Sequence, residues 1–330
     1  MPILMGLCWV GGCGTSPLPQ RAVLNGHRGP ITSIAFAPDG KLLASRSYDN
    51  TVRLWDVPTC QEKMVVSKFV SGMGAVAFSP DGTRLATNEA TVGAVAWDTA
   101  SGERRFYYPH PPREERAWGC YSVAYGWGIA YSPDGKTLAA GGSNQGENGF
   151  VTLWHVESDN GEDLGCHEGA VTAVAFSPGG GVIASASRDR AIHLWQLNTR
   201  KQLPSLLGHT GPIAAIAYSP DGGALVSASE DRTVKIWDTA SGREMATFSR
   251  HRDSVSCVAI SPDGQTVASG DRSGAAFLWN LSTRQVIAKL ARHKGGVQCV
   301  AFSPAGDLLA SGGADGILRF WGLPQRRKAR

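Results

Sequence analysis

Histidine, serine and aspartate recur along this chain at fixed distances from tryptophan, and that trio is the equipment of nucleophilic catalysis. His27, His167, His209, His251 and His293 each stand 28 residues before a Trp, and Asp49, Asp189, Asp231 and Asp315 stand six before one. Ser45, Ser185, Ser227, Ser269 and Ser311 fall between them. Read alone, such a set would activate a hydroxyl to attack a carbonyl. A catalytic triad, however, is a single strained constellation, and it would not be copied every 42 residues. The register points instead to a repeated structural network, with no catalytic residue expected.

The elements that must position these residues are repeated too. Trp55, Trp97, Trp154, Trp195, Trp237, Trp279 and Trp321 are separated by 42, 57, 41, 42, 42 and 42 residues, a period typical of propeller blades. The first unit reads Gly26-His27, an apolar run from Ile31 to Phe36, a Pro38-Asp39-Gly40 turn, Leu42 to Ser45, Asp49, then Val52 to Trp55 and Asp56. Pro fixes φ and Gly tolerates unusual backbone, so each Pro-Asp-Gly step predicts a hairpin between two short strands.

Seven copies of this pattern, from about Gln20 to Leu323, resemble the WD-repeat family, and the even units with Ser-Pro-Asp-Gly turns look like its bacterial members. The resemblance implies an all-β, seven-bladed β-propeller of four-stranded antiparallel blades, with residues 19–323 as the propeller, 1–18 as an extension and 324–330 as a basic tail. In that family the His, a strand-b hydroxyl, the turn Asp and the strand-c Trp are hydrogen-bonded together, and the five serines fit the hydroxyl position. The second unit departs from the pattern, with Thr91 at the Asp position and no His in register. The third lacks His, hydroxyl and Asp alike, and the sixth has Ser273 in place of Asp. The seventh unit lacks its outermost strand while Arg21 to Leu24 precede the first Gly-His, so the N-terminal segment is expected to pair with Ile317 to Trp321 and close the ring.

Composition narrows the function. The net charge of +4 comes from Arg326, Arg327, Lys328 and Arg330, leaving residues 1–325 neutral. A neutral body has no general pull toward nucleic acid or an anionic membrane, so neither is expected as a partner. Seven cysteines lack the paired spacings of a zinc site or a disulfide framework. Cys257 and Cys299 occupy a small core position, and Cys166, aligned with Gly26 and Gly208, falls in a loop. Those cysteines fit a reducing, cytoplasmic setting. The alternative is export as a lipoprotein processed at Cys13, after the apolar run from Ile3 to Val10. His110, His155 and His193 show no metal-ligand spacing, and Gly142 to Gly149 lacks the ending of a phosphate loop, so no metal or cofactor is expected.

Binding is expected where the units become irregular. The third interval is longer than its neighbours at two connections, d to a and b to c, which leave an up-and-down blade on the same face, the top. Residues 106 to 127 hold four of the seven tyrosines, and Tyr107, Tyr108, His110, Arg113, Arg116, Trp118 and Tyr121 are candidate contacts with a partner, since aromatics and arginines dominate interface hot spots. The alternative is that these aromatics fill the degenerate second and third blades. In the WD-repeat family the residue before the turn Asp often serves top-face recognition. Here those residues are Tyr48, Arg188, Glu230 and Arg272, a row of mixed sign suited to a peptide or protein. The expectation is a non-catalytic scaffold for a protein or peptide, a monomeric propeller working within a larger complex, or itself a fragment of a larger protein. The rival is a small-molecule-binding or catalytic propeller that uses the channel or the 106–127 loop.

Overall fold

The computed structural model describes residues 18–68, 74–89, 93–109, 124–144, 148–158, 161–290 and 293–324. Among them, 28 β-strands and no helix are found. After β1 (Gln20–Leu24), blade one consists of β2 to β5 (Ile31–Phe36, Leu42–Ser47, Thr51–Asp56, Gln61–Lys68) and blade two of β6 to β9 (Val76–Phe78, Arg84–Glu89, Gly93–Asp98, Arg104–Pro109). Blade three is β10 to β13 (Ala124–Tyr131, Thr137–Asn144, Asn148–His155, Gly161–His167), and blade four is β14 to β17 (Val171–Phe176, Val182–Ser187, Ala191–Gln196, Lys201–Leu207). Blade five is β18 to β21 (Ile213–Tyr218, Ala224–Ser229, Val234–Asp238, Glu244–Phe248) and blade six β22 to β25 (Val255–Ile260, Thr266–Asp271, Ala276–Asn280, Val286–Lys289). Blade seven contributes β26 to β28 (Val297–Phe302, Leu308–Gly313, Leu318–Gly322).

Each blade is an antiparallel sheet of four, and the seventh takes β1 as its outermost strand in the order β1-β28-β27-β26. Ala22 faces Phe320, and Leu24, only 2% exposed, faces Leu318, so the ends of the chain are zipped into one sheet as the sequence predicts. Leu18, assigned to the extension, already packs half-buried against the Trp321 cluster. The first strands of adjacent blades touch all round the axis, β2 meeting both β6 and β26.

The hairpins are set by glycine. Every connection from first to second strand ends in a glycine at φ between 70° and 74°, namely Gly40, Gly82, Gly135, Gly180, Gly222, Gly264 and Gly306, a region that residues with a Cβ enter at a cost. Six repeat tryptophans are 5% exposed or less, while Trp97 of the degenerate second blade is half-buried. Cys257 and Cys299 are core residues as predicted. Cys166 is not in a loop: it lies half-buried in β13 and is disulfide-bonded, which the scattered cysteine spacing did not signal.

The two enlarged connections of blade three leave the same end of the disc. Asn144 pairs with both Ala124 and Asn148, and Pro109 pairs with Gly93, so the segments 110–123 and 145–147 both start from the face where b strands lead to c strands. The segments themselves, with His110, Arg113, Arg116, Trp118 and Tyr121, lie outside the described residues, as do Thr91, residues 1–17 and the tail from 325. Part of the excess is strand rather than loop: β11 and β12 have eight residues each against six in β3 and β4.

Candidate functional site

The His-Ser-Asp sets form buried hydrogen-bonded chains with the repeat tryptophans. In blade one Trp55 Nε1 donates to Ser45 Oγ at 2.7 Å, Ser45 bonds His27 Nε2 at 2.7 Å, and His27 Nδ1 reaches Asp49 Oδ2 at 2.9 Å. The same chain joins Trp195, Ser185, His167 and Asp189, then Trp237, Ser227, His209 and Asp231, and again Trp321, Ser311, His293 and Asp315. The serines of these four networks, and Ser269 of blade six, are 0% exposed, so no acyl group can approach a hydroxyl that is already held by indole and imidazole. Burial depresses the affinity of His27, His209 and His293 for a proton, outweighing their aspartate partners. Burial would raise the Asp49 carboxyl, but hydrogen bonds from Thr51, the Arg28 backbone and His27 hold it at about 2. Neutral imidazoles bridging hydroxyl to carboxylate follow.

Blade six corrects the expectation that Ser273 leaves it without an aspartate. His251 Nδ1 bonds Asp271 Oδ2 at 2.8 Å, Ser269 bonds its Nε2 at 2.7 Å, and Trp279 donates to Ser269 at 2.8 Å. The tripeptides Ser47-Tyr48-Asp49, Ser187-Arg188-Asp189 and Ser229-Glu230-Asp231 become Asp271-Arg272-Ser273. Serine and aspartate have changed places, and the carboxylate reaches the same imidazole from the end of β23. The reciprocal swap was visible in the sequence but is lost when positions are read singly. Asp271 is buried, so Asp271→Ala is expected to cost about 2–3 kcal/mol by leaving His251 unpaired, and Ser273→Ala less than about 1 kcal/mol. Equal urea midpoints for the two variants would contradict this assignment.

Degenerate blades satisfy their tryptophans differently. Trp97 donates to Thr87 at 3.0 Å, and Trp154 donates to the Pro109 carbonyl at 2.8 Å. Beside Trp154, Tyr108 is 0% exposed and donates to the Val156 carbonyl at 2.9 Å. Tyr108 is therefore core between blades two and three rather than a partner contact, because the alternation of β9 turns it inward and Tyr107, 38% exposed, outward. His193 also has a partner that its spacing did not reveal. Its ring stacks on His167 with centroids 3.8 Å apart and planes 10° from parallel, and burial, with the neighbouring His167, holds it at about 4. Ligating atoms of His167, Asp189 and His193 lie within 4.8 Å of one another. Parallel rings aim their lone pairs along parallel planes, and His167 spends both nitrogens on Asp189 and Ser185, so the cluster fits a stacked, hydrogen-bonded pair rather than a metal.

The four residues predicted from the turn positions meet at one place. Tyr48, Arg188, Glu230 and Arg272 border the top mouth of the central channel, a cavity of about 250 Å³. Tyr48 is 45% exposed, and Arg272 Nη2 reaches Glu230 Oε1 at 2.8 Å, tying blade six to blade five. The inner wall of the mouth is built by one bulged residue per innermost strand: Thr32, Thr172, Ala214, Ser256 and Gln298, with Gly74 opposite in blade two. In blade three the bulge between Gly126 and Gly128 presents Trp127 instead. Trp127 is absent from the candidates drawn from residues 106 to 127; it stands eight residues before the turn glycine Gly135, as Gln298 stands eight before Gly306, and that register is the signal that finds it. Bulge hydroxyls also stitch blades together, Thr172 Oγ1 donating to the Ile213 carbonyl at 2.6 Å and Thr32 Oγ1 to that of Gly74 at 3.2 Å. The mouth is thus held rigid before anything binds.

A family profile described as "WD domain, G-beta repeat" matches residues 19–56, 120–155, 161–196, 200–238, 242–280 and 284–322. Blade two is the unit it passes over. The chain is 28% identical over 173 residues to transcription initiation factor TFIID subunit 5 of Caenorhabditis elegans, covering 52% of this chain and 24% of that protein. It is 34% identical over 184 residues to WD repeat-containing protein SL1-17 of Schistosoma mansoni, 55% of this chain and 56% of that one. With pre-mRNA-processing factor 19 homolog 2 of Arabidopsis thaliana it shares 27% over 192 residues, 56% and 34% of the two chains. The chain thus spans about a quarter to a little over half of these relatives. All three are eukaryotic, which gives no support to a bacterial type. With six repeats matched and a ring of seven four-stranded sheets, the chain belongs to the WD-repeat family.

Proposed function

We propose that this chain is a non-catalytic scaffold that holds a protein or peptide at the top mouth of its channel, as one component of a larger assembly. The observation that carries the reading is the convergence of Tyr48, Arg188, Trp127 and the Arg272–Glu230 pair on one rigid rim. Tyr, Trp and Arg are the side chains that supply most binding energy at interfaces, and charges of both signs select a partner by complementarity. Two relatives support a role in assemblies by name, one as a subunit of a transcription initiation factor and one as a pre-mRNA-processing factor. Among the described residues, the channel offers the catalytic alternative no activated group. The described lining of the channel below the mouth offers only Cys257 and Cys299 as titratable side chains, and burial pushes both thiols up, Cys257 to about 12.

The test is quantitative capture of partners from cells that make the protein, comparing the intact chain with one carrying Tyr48→Ala, Arg188→Ala and Arg272→Ala. Because Tyr48, Arg188 and Arg272 are exposed, melting should be preserved while binding falls about thirtyfold or more. Retention of full binding by the triple variant and by Trp127→Ala would remove the mouth from the account.

A further inference from the structure

The outer rim of blade six holds a concave site unlike the rims of blades one and five. A cavity of about 360 Å³ is bordered by Arg250, Arg252 and Lys289, with Phe277 and Val286 as its apolar wall. All three cations are exposed, and among the described residues none is held by a salt bridge or a side-chain hydrogen bond; Lys289 Nζ lies 5.8 Å from the centre of the Phe277 ring. The carboxylate at the site, Asp271, is already committed. It is 1% exposed and accepts from His251 Nδ1 at 2.8 Å, Ser273 Oγ at 2.7 Å and the Ala275 backbone at 2.9 Å.

Comparison with blades one and five shows what has been lost. There the same place is filled by an ion pair across the third and fourth strands, Arg53 with Glu62 and Lys235 with Glu244, the latter at 2.7 Å. Phe277 stands where Arg53 and Lys235 stand, two residues before the tryptophan. Val286 faces Trp279 as Glu62 faces Trp55 and Glu244 faces Trp237. Both members of the internal pair have become apolar, so the acidic half is gone. The cations sit elsewhere in the blade, Arg252 at the place that Arg28 holds in blade one. Arg250 and Arg252 flank His251, whose ring is pinned inward by Ser269 and Asp271, and Lys289 lies across the sheet from Phe277. Three positive groups around one hollow, beside an apolar wall and with only the buried Asp271 carboxylate as a nearby negative charge, leave a net positive site that favours an entering anion.

We propose that this pocket binds a phosphate monoester. Guanidinium forks match phosphate oxygens two at a time, and a dianion answers three cations better than a single carboxylate does. The volume suits one such group and its nearest atoms. A nucleic-acid strand is a poor occupant, since residues 1–325 are neutral overall and a strand needs a continuous basic track. The site is independent of the channel mouth.

The experiment titrates the intact chain, by calorimetry at low and physiological salt, with a short phosphoserine peptide, its serine and glutamate counterparts, and free O-phosphoserine. The phosphopeptide is expected to bind roughly tenfold or more tightly than the glutamate peptide and to weaken as salt rises. Arg250→Gln combined with Lys289→Gln should cost at least about another tenfold, whereas Trp127→Ala should leave this binding unchanged. Val286→Glu keeps all three cations but restores the carboxylate of blades one and five, and is expected to abolish binding; melting curves confirm that each variant is folded. Stronger binding of the peptide than of free O-phosphoserine assigns the phosphate to a polypeptide, and equal binding assigns it to a small metabolite, both in support. Undetectable binding, equal affinity for the serine peptide, or unaltered affinity in the Val286→Glu variant would overturn the proposal.

Discussion

A chain cut back through Asn25, so that His27 is kept and β1 is lost, is expected to melt more than about 10 °C below the intact protein. The strand contributes a ladder to β28 and buries Leu24 in the cluster that joins blade seven to blade one. The four paired positions of the ladder, taken at about one backbone hydrogen bond of about 1 kcal/mol each, with about 2–4 kcal/mol for the leucine, come to roughly 6–8 kcal/mol. At about 2 °C per kcal/mol for a domain of this size, the shift is large. The loss also exposes β28 as an open edge between Leu318 and Gly322, ready to pair with another copy, so aggregation on heating should accompany the drop. Leu24→Asp in the intact chain isolates the effect, placing a charge at a site 2% exposed beside Leu318 and Phe320. An unchanged melting temperature in this variant would mean that the ring does not depend on this clasp.

The fold was legible because its signals are local and repeated. A turn glycine forced to positive φ, a strand of about six residues and a tryptophan in register each specify one hairpin, and seven copies correct one another where a single copy is ambiguous. The turn residues Tyr48, Arg188, Glu230 and Arg272 could be placed for the same reason, since their positions follow from the blade register alone. What could not be read depends on facts outside the period. Tyr108 and Tyr107 are neighbours in sequence, and only the pairing of β9 with β8 decides which faces Trp154 and which faces water. Asp271 is a swap within a tripeptide, so counting back from Trp279 finds a serine where the other blades have the acid. His193 stacks on His167 across strands, a contact that neither histidine's distance from Trp195 announces. The cationic hollow of blade six is a difference between blades, apparent only once Phe277 and Val286 are seen to replace an ion pair.

Trp195→Ala is expected to destabilise the propeller by about 4 kcal/mol, and Ser185→Ala by about 1–2 kcal/mol, although both break the same hydrogen-bonded chain. Burying ~200 Å² of indole at ~25 cal/mol/Å² gives about 5 kcal/mol before entropy is subtracted, whereas the serine contributes its bonds and almost no volume. The cavity left by the tryptophan has little chance to close. A Cβ on Gly165 would stand 2.2 Å from the Trp195 ring, so backbone already lies flat against the indole, and His193 abuts its other side edge-on. Rigid sheets on both sides keep the hole open, which raises the cost above simple transfer. Trp97→Ala sets the scale from below. Trp97 is only half-buried, in a blade with no His or Asp network, and its removal should cost about half as much. Urea midpoints measured for the three variants should therefore fall in the order Ser185→Ala, Trp97→Ala, Trp195→Ala from mildest to most severe. If Ser185→Ala proved the most damaging, the polar network rather than indole burial would be the dominant support of each blade, and the second and third blades, which lack it, would need another source of stability.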